Sequence, residues 1–90
     1  MLLRESSSLV QAFGEPLRHA GDLQKTDATW LVLFGDGVVA DIYNYKNGHN
    51  YLGTTHGLRV EAITEWSVGS RDRDGCVVDR INAILASSHR

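Results

Sequence analysis

Hydrophobic residues near the N-terminus recur at helical spacing. The pattern predicts a first helix over residues 3–13. Gly14 can take the left-handed conformation at a helix end, and Pro16 cannot continue a helix, so both act as stop signals. Consecutive serines favour helix starts over helix interiors, and a beginning at Ser7 or Ser8 is the alternative. The polar stretch 18–27 is predicted to be a connecting loop.

The two clearest strands are residues 29–34 and 38–43, which are rich in β-branched and aromatic side chains. A two-residue Asp-Gly turn between them would pair Phe34 with Val39. A three-residue turn with Gly37 in the left-handed bulge position pairs Phe34 with Val38 instead. We prefer the three-residue turn, because a one-residue slip exchanges the two faces and only this register makes one face wholly apolar. That face consists of Trp30, Val32, Phe34, Val38, Ala40 and Ile42.

The opposite face of this hairpin is also unusually apolar. It would carry Leu31, Leu33, Val39, Asp41 and Tyr43. Such a surface is too hydrophobic to remain in water, so we expect a helix, a long loop or another protein to cover it. A homodimer that buries Leu31, Leu33 and Val39 is one such arrangement.

The C-terminal half is predicted to add a third strand over residues 62–68 and a last helix that ends near Ser87. Ser70 or Asp72 would cap this helix. Its apolar face consists of Val77, Val78, Ile81, Ile84 and Leu85. The predicted fold is therefore a single α+β domain over residues 1–90, with a three-stranded antiparallel sheet and two helices in the order α-β-β-β-α.

Composition and charge narrow the function classes. The chain has 90 residues, 42% apolar and 22% charged residues, and a net charge of -2, which suits a folded domain and gives no general attraction to nucleic acid or anionic membranes. Its single cysteine, Cys76, excludes an internal disulfide and fits a reducing compartment. We find no signal peptide or membrane-spanning pattern, and expect a cytoplasmic protein.

The stretch 42–57, IYNYKNGHNYLGTTHG, is too polar for a core and too aromatic for a plain linker. Tyrosines supply large contact areas at modest entropic cost, which suits a protein interface. The alternative is a solvated hairpin around Asn47-Gly48, a strong two-residue turn signal. The sequence leaves open whether residues 44–57 form a hairpin or an irregular loop. The predicted partner-binding residues are Tyr43, Tyr45, Lys46, His49, Asn50 and Tyr51.

Motifs for catalysis, metals or cofactors are weak. His49 and His56 lack a cysteine partner or a His-Glu-x-x-His spacing, and the other histidines are His19 and His89. Cys76 is better explained as a half-buried core thiol than as a nucleophile. There is no glycine-rich phosphate loop. We therefore predict no enzymatic activity, no metal and no cofactor.

The α-β-β-β-α order coincides with that of double-stranded RNA-binding domains. Those domains need a lysine cluster at the start of the last helix, whereas residues 71–75 read RDRDG and are nearly neutral. Nucleic-acid or small-ligand binding is therefore the alternative function, and not the first choice.

Short phrases over the middle half of the chain resemble small proteins encoded by bacteriophages and prophages. They are Trp30, Gly37, IYNYKNG at 42–48, YLG at 51–53, ITEW at 63–66 and Val68-Gly69. Many phage proteins of this size bind and block a host protein, and CRISPR-inhibiting proteins are among them. The resemblance implies a phage-borne modulator or inhibitor of a host protein, for example in a defence system. It identifies no partner and fixes no active residue.

Overall fold

A computed structural model describes residues 2–18, 24–70 and 77–88. Four strands and three α-helices lie in these ranges, together with one short 3-10 helix. In chain order they are β1 (Leu2–Leu3), α1 (Ser6–Phe13), β2 (Thr29–Leu33), β3 (Val39–Tyr43), α2 (His49–His56), the 3-10 helix (Val60–Ala62), β4 (Glu65–Ser70) and α3 (Val77–Ser88).

The four strands form one antiparallel sheet in the order β1-β4-β3-β2. The predicted α+β class and the antiparallel sheet are confirmed. The predicted count of three strands and two helices was wrong, because β1 precedes α1 and α2 separates β3 from β4. Strand β1 escaped notice because it has two residues, and its leucines fit the apolar spacing of the neighbouring helix.

The hairpin of β2 and β3 has the predicted register. Leu33 pairs with Val39, and the Phe34 N–H donates to the Val38 carbonyl at 2.9 Å, so the turn has three residues. Gly37 has a φ of 86°, a left-handed conformation that glycine adopts without steric cost. The predicted inner face is buried, except that Val38 is half-buried at the turn. Turn chemistry and face pattern therefore agree in this hairpin.

Two tryptophans occupy the centre of the core. The rings of Trp30 and Trp66 meet edge to face, with centroids 5.0 Å apart and planes at 76°. Each indole N–H donates to a main-chain carbonyl, that of Trp30 to Gly14 at 2.8 Å and that of Trp66 to Arg4 at 3.1 Å. Both polar groups are thus satisfied without water.

Helices α1 and α3 cover the inner face of the sheet. Leu9 of α1 and three residues of α3 join the core cluster; the residues of α3 are Val77, Ile81 and Leu85. The α3 prediction is therefore confirmed over its described length. Helix α1 begins at Ser6, so the predicted start at residue 3 was wrong, because Leu3 pairs in β1, and the alternative start at Ser7 or Ser8 was slightly late. The predicted end is confirmed, and Gly14 has the expected positive φ of 83°.

The third predicted strand begins and ends later in the sequence than expected. Residues 62–68 were assigned to it, but β4 spans Glu65–Ser70 and Ala62 ends the 3-10 helix. Ile63, which was predicted to lie within the strand, precedes it and is fully buried. The predicted cap at Asp72, the RDRDG segment and Cys76 lie outside the described residues, as do His19 and His89.

The turn between β2 and β3 is tied to α3 by an ion pair. The two terminal guanidinium nitrogens of Arg80 donate to the carboxylate of Asp36, at 3.0 and 3.2 Å. The guanidinium also lies 4.0 Å from the Phe34 ring centre. This hydrogen bonding, with the Val38 N–H as a further donor, lowers the pKa of Asp36 below its ordinary value. The Asp36 carboxylate therefore stabilises the turn and links it to α3.

None of the helices in the described ranges has the length and apolar character needed to cross a membrane.

Candidate functional site

The site is built on the segment that follows β3, and Asn44 anchors it. The Asn44 side chain is fully buried. Its Oδ1 accepts hydrogen bonds from the main-chain N–H groups of Asp27 and Ala28, at 2.8 and 2.9 Å. Its Nδ2 donates to Oδ1 of Asp27 at 3.0 Å and to Oδ1 of Asn47 at 3.1 Å. Asn44 therefore joins the segment after β3 to the segment before β2.

Further hydrogen bonds fix the residues after Asn44. The Lys46 N–H donates to the Lys25 carbonyl at 2.9 Å. Asn47 donates from its side chain to the Glu65 carbonyl at 3.1 Å, and its own carbonyl accepts from the Leu58 N–H at 2.9 Å. These contacts reach three separate parts of the chain, so the segment is held from several sides.

Helix α2 replaces the predicted hairpin or irregular loop. It has two short helical parts, because Gly53 interrupts it with a φ of 80° and a ψ of 174°. The Asn50 N–H at its start donates to the Asp27 carboxylate at 3.2 Å, and the Asn50 side chain donates to the Thr26 carbonyl at 3.0 Å. Tertiary hydrogen bonds therefore hold a helix whose sequence has weak helical propensity.

Two glycines let the ends of α2 pack against each other. Gly48 and Leu58 form a parallel bridge. A Cβ atom at Gly57 would collide with the Gly48 carbonyl, and one at Gly48 would collide with the Asp27 carboxylate. Only residues without a Cβ fit this close approach of main chains.

Three side chains on this framework form what we call the tyrosine–lysine cluster: Tyr45, Lys46 and Tyr51. The Lys46 ammonium lies 5.2 Å from the centre of the Tyr45 ring and 5.4 Å from that of Tyr51. Both distances are within the range of cation–π attraction. The tyrosines are about half exposed, at 47% and 48%. The cluster therefore presents two rings and one cation to solvent.

Lys46 has an unusual main-chain conformation. Its φ is 60°, and among the described residues it is the one non-glycine with a positive φ. A side chain in this region costs free energy, and such residues concentrate at functional sites. The surrounding hydrogen bonds of Asn44 and Asn47 supply the constraint that holds it there.

The other predicted binding residues lie apart from this cluster. Tyr43 is half-buried within β3, between Thr29 of β2 and Ser67 of β4. Asn50 uses its side chain to hold the Thr26 carbonyl, so it is part of the framework. His49 is half-buried and lines a neighbouring cavity. The structure thus brings together three of the six predicted residues.

That cavity is open and polar, with a volume of about 510 Å³. Arg18 and Glu61 approach each other across part of its wall at 3.9 Å. Basic and acidic side chains both line it, so the lining carries little net charge. The lining residues are Arg18, Asp27, His49, Asn50, Arg59, Val60 and Glu61.

Sequence reasoning missed two exposed leucines, one in α2 and one just after it. Leu52 follows Tyr51 directly in α2 and is 42% exposed, and Leu58, which follows α2, is 46% exposed. Hydrophobic patterning could not separate them from core leucines, because their exposure depends on the path of α2. Leu52 adds exposed apolar surface to the helix that also carries Tyr51.

Within the described ranges, no group of three or more histidine, cysteine, aspartate or glutamate side chains could hold a metal ion. Comparison of the chain with protein-family models, with curated proteins and with solved structures found no match.

Proposed function

We propose that this protein is a non-enzymatic protein-binding module and that the tyrosine–lysine cluster is its contact surface. The observation that carries the proposal is the geometry of Lys46 between two half-exposed tyrosine rings. Tyrosine is among the residue types enriched at the energetic centres of interfaces, and the Lys46 ammonium held beside both rings adds a charge that a partner carboxylate can approach. The adjacent Leu52 extends the apolar area around them.

Rigidity of the framework supports this role. Association costs free energy whenever loops and side chains must become ordered. Here the main chain under the cluster is already fixed, through the buried Asn44 side chain and the hydrogen bond from Lys46 to Lys25. Less conformational freedom is therefore lost on binding than a free loop would lose.

The charge of the tyrosine–lysine cluster indicates what kind of partner surface would bind it. No described residue forms an ion pair with the Lys46 ammonium, and the two rings beside it are electron-rich on their faces. A partner carboxylate could approach the ammonium while apolar atoms cover the rings. The proposed partner therefore presents an acidic side chain surrounded by apolar surface.

The resemblance of the chain to phage-encoded proteins suggests where that partner is found. Under this proposal the protein is a phage-borne modulator of a host protein and acts in the host cytoplasm. That part of the proposal is separate from the chemistry of the cluster, and would be tested by identifying the captured partner.

The test is a pull-down from host-cell lysate with a double variant, Tyr45→Ala with Tyr51→Ala. The matched control replaces Thr54 and Thr55 with alanine, because both are exposed on the second half of α2. We expect the tyrosine variant to lose a captured protein that the threonine control retains, while circular dichroism and thermal unfolding show that both are folded. Retention of the same protein by the tyrosine variant would refute the proposal.

A charge reversal separates recognition from folding. Lys46→Glu keeps both rings and places a carboxylate where an acidic partner group is expected. We expect it to reduce capture at least as strongly as the alanine variant. Equal capture by Lys46→Glu and wild type would show that the charge of Lys46 does not contribute to binding.

Binding of single-stranded nucleic acid is the second candidate, because exposed tyrosines can stack on unpaired bases. The net charge of -2 and the single lysine in the cluster argue against it, since phosphate contacts supply most of that affinity. A gel shift at low salt that weakens steeply with added salt would favour this candidate. No shift at low salt would exclude it.

A further inference from the structure

The outer edge of β2 has main-chain groups that find no partner in the part of the chain that the structure describes. The Phe34 N–H donates to the Val38 carbonyl, so the even-numbered residues of β2 direct their N–H and C=O groups toward β3. The odd-numbered residues direct theirs to the open edge. Thr29 does so in exchanging two hydrogen bonds with Leu17, at 2.8 and 2.9 Å. The same groups of Leu31 and Leu33 have no partner among the described residues.

This edge lacks the usual features that prevent strand pairing. Natural edge strands are blocked by charged side chains, proline or bulges. Here the two unpaired positions carry leucines that are 63% and 73% exposed, and residues 30–34 read WLVLF. An edge with unpaired main-chain groups and apolar side chains favours the addition of another strand.

We propose that β2 pairs with β2 of a second copy of this chain, antiparallel about a two-fold axis at Val32. Leu31 then lies opposite Leu33 of the second copy, and Leu33 opposite its Leu31. Each of these pairs exchanges two hydrogen bonds, which uses all four free groups on each edge. Leu17 already pairs with Thr29 at one end of the open edge, and the hairpin turn begins after Leu33 at the other end. Only this register therefore pairs both Leu31 and Leu33.

Side-chain packing favours a second copy over a foreign strand. Any strand could supply the hydrogen bonds, but a second copy places a leucine opposite each leucine on the outer sheet face. A two-fold contact requires such self-complementarity. Val39 lies one strand inward from Leu33 and does not reach across the axis. The contact area is smaller than the roughly 800 Å² per partner of a standard interface, so the dimer is a weak one.

The first test is sedimentation of the purified chain over a concentration series from micromolar to millimolar. We expect a reversible monomer–dimer equilibrium in the wild type. Leu33→Lys places a charge at the paired edge and should weaken the dimer at least tenfold. Val39→Lys is the matched control, because it makes the same change on the same face away from the edge, and it should dimerise like the wild type.

Two results would overturn the proposal. A wild type that stays monomeric throughout the series excludes edge pairing. Equal loss of the dimer in both lysine variants would show that the outer faces dock on each other instead of the edges. Neither result depends on the tyrosine–lysine cluster, so the pairing and the proposed function fail independently.

The second test measures the register. Cys76, the single cysteine, is replaced by serine, and Val32→Cys is introduced at the axis. Directly opposed residues of an antiparallel pair are close enough for a disulfide. Val32→Cys should therefore form a covalent dimer under mild oxidation. Leu33→Cys in the same background should not, because its two copies are staggered along the strands. Cross-linking through position 33 without position 32 would refute the register.

Discussion

Replacement of Asn44 by alanine should be the most damaging single change in the segment that carries the site. Its amide makes four hydrogen bonds from a fully buried position, two of them from main-chain N–H groups. A hydrogen bond contributes about 1 kcal/mol net, and a buried donor left unsatisfied costs about 1–3 kcal/mol. We expect Asn44→Ala to lower the free energy of unfolding by about 3–4 kcal/mol.

That loss is a large share of the total free energy of unfolding. A domain of this length has a stability of roughly 5–13 kcal/mol at the usual values per residue. The expected change corresponds to a fall in melting temperature of about 12–32 °C. Urea unfolding followed by tryptophan fluorescence would measure the change in the free energy of unfolding, because Trp30 and Trp66 are both buried.

The matched control is Asn50→Ala, since the Asn50 side chain makes one hydrogen bond from an exposed position. It should cost about 1 kcal/mol or less. Hydrogen exchange gives a local readout, because the amide of Ala28 loses its acceptor only in the Asn44 variant. If the two variants were equally stable, Asn44 would not be the anchor of this segment.

Three further changes test other features. Gly57→Ala should cost at least about 2 kcal/mol, because its Cβ would meet a main-chain carbonyl, whereas Gly35→Ala has no neighbour within 4 Å and should cost much less. Lys46→Gly should be more stable than Lys46→Ala by about 1 kcal/mol, since glycine adopts a φ of 60° without strain. Arg80→Ala should raise the pKa of Asp36 toward 3.8, as followed by NMR titration.

Each of these three predictions has a result that would contradict it. Equal stability of the two glycine variants would mean that the ends of α2 are not in close contact, and equal stability at position 46 would mean that its main chain is not strained. For Asp36 the sign follows from its lowered pKa in the folded state. Its contribution to stability is present above pH 3.8, the ordinary value, and is lost as the pH falls through the folded-state pKa. An unchanged titration in Arg80→Ala would refute the assigned cause.

Local information was enough to predict the hairpin of β2 and β3. The turn sequence and the face pattern lie within fifteen residues of each other, and both specify the same register. Helix α3 was predictable for the same reason, since its apolar spacing is regular. Strand β1 was not, because its two residues acquire their conformation by pairing with Trp66 and Glu65, far along the chain.

The site was predictable in part for a similar reason. Tyr45, Lys46 and Tyr51 could be selected by residue type and proximity in sequence. The role of Asn44 could not, because its hydrogen-bond partners at Asp27 and Ala28 become neighbours only in the fold. Helix α2 was also hidden, since tertiary contacts override the weak helical propensity of a glycine-rich segment.

The pairing of β1 with β4 has a consequence for the order of events in folding. The Arg4 N–H donates to the Thr64 carbonyl, the Arg4 carbonyl accepts from the Trp66 indole, and the Arg4 guanidinium reaches Asn82, 78 positions away in sequence. Closing so long a loop is slow compared with forming a hairpin. The N-terminal edge of the sheet should therefore be the last part of this fold to assemble, only after synthesis has passed Asn82.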